Sequence, residues 1–392
     1  MSHRTTVLTD TLEGIHHETF RIDARDGLEL PGSSDWSISQ RTLRGGRSAG
    51  VDVIDLDNGA LAISILPTRG MGLWRGRYRD IELGWKSPVT MPVHPGFVDL
   101  QDRNGIGWLG GFNELLCRCG LTSNGPPTDD AGTPLTLHGR IANIPAHHVE
   151  VSVSTEGNGT LSVTGAIEEA SLFGANLRLT STLQTEAGSN RVTIIDEVTN
   201  LGASPGEMQL LYHINVGPPL LEEGAQFVGA AREMAPRDPR AAEGVEGVES
   251  WSRYDGPTVG YTEQVYYLSP TPDADGNSTM LLKNANGERG LSVAFDTRSL
   301  PCFSLWKNTQ PEADGYVTGL EPATNFPNPK PFEREQGRVV LLNAGQSHTT
   351  RIELAIHDGH PAVAEVEQQI VSLQTENAGI FHDTPQPGFS PR

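Results

Sequence analysis

Cysteine is scarce in this chain. Its 392 residues hold three, Cys117, Cys119 and Cys302. Cys117 and Cys119 stand one residue apart, too close for an ordinary structural disulfide, and no CxxC motif offers a zinc or redox centre. Buried free thiols are the expectation. Basic charge is also short: 29 Lys and Arg face 49 Asp and Glu, a formal net charge of −20. Phosphate backbones would repel such a chain, and no Lys/Arg cluster reverses this locally. Nucleic acid and anionic membrane surfaces are therefore poor partners. The same field disfavours a polyanionic substrate, and a neutral small molecule fits best. No apolar run approaches the ~20 residues that span a bilayer. The N-terminus, MSHRTTVLTDTLEG, lacks a basic-then-apolar signal pattern, so a cytoplasmic location is expected. No fixed-period repeat is present, which argues against propellers and solenoids.

Turn formers, by contrast, are plentiful, with 44 Gly and 27 Pro, as suits many short strands. From about residue 149 the sequence alternates through VEVSVS, TLSVTGAIEE, NLRLTSTLQTE and RVTIIDEVTN. In the third, Leu177, Leu179 and Leu183 share one face while Asn176, Arg178, Thr180 and Thr182 share the other. That period of two predicts half-buried antiparallel strands. The same pattern recurs near 290, 337 and 348, and residues 50–67 predict a hairpin around Asp57–Asn58–Gly59. Residues 361–373 predict an amphipathic helix on Val363, Val366, Ile370 and Leu373, followed by a loosely held tail. The expected fold is all-β, a large antiparallel sandwich with few short helices. Two stretches, 86–137 and 217–258, read as long irregular connections, which in compact domains usually build binding sites or lids.

Three ionisable residues share one local grammar. His138 in LTLHGR, His213 in LLYHINVGPP and Glu321 in TGLEPATNFPNP each close an apolar run just before a glycine or proline break. Strand ends fix a side chain while its tip faces a cavity, which makes them good mounts for catalytic groups.

With LHGR, YHIN and LEPATNFPN in that order, the chain resembles the galactose mutarotase (aldose 1-epimerase) superfamily, in its DUF4432-type branch. LPTRGMGLWRGRYRDIELGWKSP and SLPCFSLWKN extend the likeness over roughly residues 50–358. The chain departs from mutarotases where GFNELLCRCGL replaces an arginine motif. The resemblance implies a galactose mutarotase-like β-supersandwich over 46–360, an N-terminal extension (1–45) packed on it, and a C-terminal helix and tail (361–392).

It also implies cofactor-free mutarotation of a neutral hexose or related sugar, with Glu321 as base and His213 as acid. His138, Arg140, Arg69, Asn215, Trp306, Lys307 and Asn325 would bind substrate. With no HxH or HxxxH spacing near the histidines, no metal is expected. Two other readings stay open, another isomerase or lyase acting on a modified sugar and a non-catalytic carbohydrate-binding protein. The acidic surface leaves oligomeric state open, a homodimer included.

Overall fold

The computed structural model describes residues 3–245 and 251–391. Among these, two large sheets, of ten and fourteen strands, enclose the main apolar core. The alternating region forms a meander in the ten-stranded sheet: His148–Ser154, Thr160–Ala170, Asn176–Glu186 and Arg191–Asn200. Leu177, Leu179 and Leu183 turn inward, and Arg178, Thr180 and Thr182 turn outward. Burying each such leucine is worth roughly 1.5–3 kcal/mol, so a one-residue slip would cost the whole inward row. The hairpin Asp52–Asp57 to Leu61–Leu66 also forms. Asn58 Oδ1 accepts from the amides of Ala60 and Leu61, and Gly59 takes a φ of +95° that side chains resist.

Three expectations need correction. The first 45 residues are woven into the sheets. His3–Asp10 pairs with His148–Ser154, and Ser37–Thr42 pairs with Asp52–Asp57 in the other sheet. The C-terminal helix runs His360–Glu376, but the tail beyond it is held. Phe389 is buried and stacks on Phe326, and Asn328 Nδ2 and Arg338 Nη1 donate to the carbonyls of Phe389 and Gly388. Finally, residues 86–137 contain a fully buried strand, and 217–258 contain two partly buried strands, Gln226–Gly229 and Ala231–Pro236; residues 246–250 lie outside the described residues. The buried strand escapes detection because both its faces are covered, so its sequence does not alternate. Its Arg118 looks polar but forms an ion pair with Asp196 inside the core.

Five neighbouring strands of the larger sheet position the site: β1 (Leu116–Leu121), β2 (Gly206–Val216), β3 (Gln264–Pro270), β4 (Cys302–Thr309) and β5 (Tyr316–Ala323). They lie in the order β3-β4-β5-β2-β1. On β2, Leu210, Tyr212, Ile214 and Val216 join the main core, which leaves Leu211, His213 and Asn215 on the opposite face. That outer face is roofed by Trp108 and Phe112 from the 86–115 loop.

Candidate active site

Register brings the two proposed catalytic groups together. Leu211 pairs with Ala323 and Asn215 with Gly319, so His213 and Glu321, midway between, face each other across β2 and β5. Nε2 of His213 lies 3.2 Å from Oε1 of Glu321, and both side chains are almost wholly buried. Yet Oε1 has no hydrogen-bond partner among the described residues. The contact is close without hydrogen-bond alignment. His213 sits inside its strand rather than at the end, because β2 continues through buried Asn215 to Val216. His138 lies in a turn at φ +58°. Only Glu321, in the last turnward part of β5, matches the strand-end expectation.

The amide of Asn215 fixes the His213 ring. Its Nδ2 donates to the carbonyls of Glu114 and His213, which leaves Oδ1 as acceptor 2.6 Å from His213 Nδ1. Nδ1 therefore carries the hydrogen and Nε2 presents a lone pair toward Glu321. Burial, and then the charge of His138, lower the His213 pKa to about 3. Burial raises Glu321 well above the usual carboxylate range, against the pull of His138. The resting pair is thus neutral, with its proton on the carboxyl.

His138 completes the group. Its ring centroid is 5.5 Å from that of His213 and 4.7 Å from that of Trp108, and Nδ1 meets the Asn124 carbonyl at 2.9 Å. Burial opposes its charge, but the Cys119 sulfur, the Asn124 carbonyl and Glu321 outweigh this and raise its pKa. Trp306 packs against His213 at 5.3 Å, and Phe112 at 5.1 Å. The indole Nε1 of Trp306 donates to Glu263, which also pairs with Arg237; all three are partly exposed and form a rim.

Other expected substrate ligands are committed elsewhere. Arg69 is buried, and its guanidinium bonds Glu114 Oε1, Asn143 Oδ1 and the carbonyls of Val93 and Gly111. It anchors the loop that carries Trp108 and Phe112, a positioning role. Lys307 points to the opposite face from Trp306, as strand alternation requires. Its ammonium donates to the carbonyls of Trp251 and Arg253, and burial lowers its pKa to about 8. Asn325 exchanges amide hydrogen bonds with Asn124 and donates to the Phe326 carbonyl. Through Asn124 it steadies His138. Arg140 is exposed, and its side chain makes no hydrogen bond or ion pair among the described residues; it borders a surface depression with Thr122 and Leu135.

Sequence reasoning missed Phe112, Cys117, Cys119, Glu263 and Ser304, and gave Trp108 no role. A signal existed for Ser304: Cys302, Ser304 and Trp306 alternate along one strand and so share a face. For Phe112 and Glu263 the sequence offers none, because separate loops bring them in.

A family model described as Domain of unknown function (DUF4432) matches residues 48–356. The chain is similar to a crystal structure from Klebsiella pneumoniae titled "putative aldose 1-epimerase". The two share 36% identity over 98% of this chain and 99% of that one, with a TM-score of 0.93. It also resembles a galactose 1-epimerase from Lactobacillus acidophilus NCFM, with TM-score 0.54 and 13% identity over 82% and 98% of the two chains. A galactose mutarotase-like protein from Clostridium acetobutylicum gives 0.54 and 13% over 80% and 97%. These last two likenesses concern the fold alone. No curated protein matches.

Proposed function

The chain belongs to the DUF4432 family, and from that footing we propose that it is a sugar 1-epimerase that interconverts the anomers of a neutral aldose. The supporting observation is the buried pair in which His213 Nε2 stands 3.2 Å from an unpartnered Glu321 Oε1. Ring opening needs a base at the anomeric hydroxyl and an acid at the ring oxygen. The pair holds one mobile proton. Moving it from Glu321 to Nε2 of His213 creates both groups at once without changing the net charge of the chamber.

Glu321 then takes the proton of the anomeric hydroxyl as His213 protonates the ring oxygen. The bond between the anomeric carbon and that oxygen breaks, and an open-chain aldehyde results. Rotation about the adjoining carbon–carbon bond and reversal of the two transfers close the other anomer and restore the pair. The charge of His138 favours ionised Glu321 and makes protonated His213 a stronger acid. Each positioned group is worth roughly 10²–10⁴-fold. Trp306 and Phe112 supply apolar faces for the ring. The net charge of −20, together with Arg69 and Lys307 being occupied within the protein, favours a neutral sugar.

Anomer exchange measured by NMR over neutral aldoses, deoxy sugars and uronic acids tests this. Acceleration of one neutral sugar, abolished in Glu321→Gln, is the expected result. Sugar-dependent shifts without exchange would make the protein a carbohydrate binder instead.

A further inference from the structure

Ser304 is fully buried, and its Oγ has no hydrogen-bond partner among the described residues. A buried hydroxyl left unpaired is costly, so its retention wants a cause. Ser304 pairs with Glu321 on one side and with Tyr267 on the other. It shares the face of β4 that bears Trp306. Tyr267 does not serve it, because that hydroxyl donates to Asn328 Oδ1. Two unpartnered oxygens, Glu321 Oε1 and Ser304 Oγ, thus belong to directly paired residues on the same face of adjacent strands.

We propose that Ser304 contacts the substrate and takes the hydroxyl at carbon 2 of the sugar. The inference rests on the 1-epimerase reading, which puts the ring oxygen at His213 and the anomeric hydroxyl at Glu321. His213, Glu321 and Ser304 form one row across β2, β5 and β4. In a pyranose the anomeric carbon has two ring neighbours, the ring oxygen and carbon 2. With the ring oxygen toward His213, carbon 2 lies on the Ser304 side. Tyr267, Cys302 and Trp306 border that position, which disfavours the bulk of an acetamido group. The substrate class is a neutral aldose with a free 2-hydroxyl.

The test compares anomer exchange of D-glucose, D-galactose, their 2-deoxy counterparts and their 2-acetamido counterparts by wild type and Ser304→Ala, with Tm recorded for both. Wild type should favour the better parent sugar over its 2-deoxy form by about 10-fold in kcat/KM, and Ser304→Ala should shrink this to about twofold or less. The 2-acetamido sugars should not be accelerated. The variant's Tm should equal or exceed that of wild type, since an unpaired hydroxyl has gone. An unchanged preference with the parent still accelerated overturns the role of Ser304 and leaves the 1-epimerase reading standing. So does a clear fall in Tm, which would mark the hydroxyl as structural. If wild type accelerates neither parent sugar, the 1-epimerase reading falls for these hexoses and the role of Ser304 with it.

Discussion

Gly319 and Glu321 lie two residues apart on the same face of β5, and a methyl group on Gly319 would run into Oε1 of Glu321 and crowd the Trp306 ring. The glycine is there for space: it leaves the carboxyl a place between Trp306 and His213. Gly319→Ala should push Glu321 out of reach of His213. The expected result is a loss of kcat of at least ~10-fold with a stability cost of about 1–3 kcal/mol for overpacking. Steady-state exchange rates and thermal melts check both. An alanine variant with unchanged kcat would show that the position of Glu321 is not critical.

The Glu321 carboxyl should make stability fall as pH rises. Its folded-state pKa is raised by burial, so between the unfolded value and the raised one the folded chain holds a proton that the unfolded chain has lost. Stability from this group is full below the unfolded pKa and declines above it, by up to about 1.4 kcal/mol per pH unit. Glu321→Gln cannot ionise and escapes the decline. Its Tm should match wild type near the acid end and exceed it increasingly toward neutral and alkaline pH, while its activity is lost. His213 acts in the opposite sense, losing stability as pH falls from 6.5 toward about 3, and it stays buried in both proteins. A Tm difference that does not change with pH would contradict the burial argument.

Arg69 and Glu114 form a buried ion pair at 2.6 Å. Removing one partner leaves the other charged and alone, which typically costs 3–5 kcal/mol by rough precedent. Arg69→Met should therefore destabilise strongly, and Arg69→Met with Glu114→Met should recover part of the loss. Denaturant unfolding of the two single variants and the double variant reads this out. Substrate affinity should not be the primary effect, because four of the five guanidinium N–H donors are committed to acceptors within the protein. A stable Arg69→Met protein with only a raised KM would restore the expectation that Arg69 binds substrate.

The strands with one half-buried face were plain in the sequence. Thr160–Ala170 and Asn176–Glu186 carry strict alternation because one side meets the core and the other meets water. Leu116–Leu121 was not legible, since a strand covered on both faces has no alternation, and its Arg118 is paired from a distant strand. The tail looked loose from its polar, proline-rich composition. Phe389 docks on Phe326, a partner 63 positions away that no local pattern announces.

The amino-acid sequence by itself determined the periodic strands, the ordering of His138, His213 and Glu321, and the family to which they point. Those are local properties, set by alternation, turn chemistry and short motifs. Tertiary structure decided which polar residues remain free for a ligand. Arg69, Lys307 and Asn325 looked like binding groups but each faces protein partners, whereas Ser304 looked ordinary and is left unpaired beside Glu321. The reason is that hydrogen-bond satisfaction is a property of neighbours in space, and strands far apart in the chain supply those neighbours.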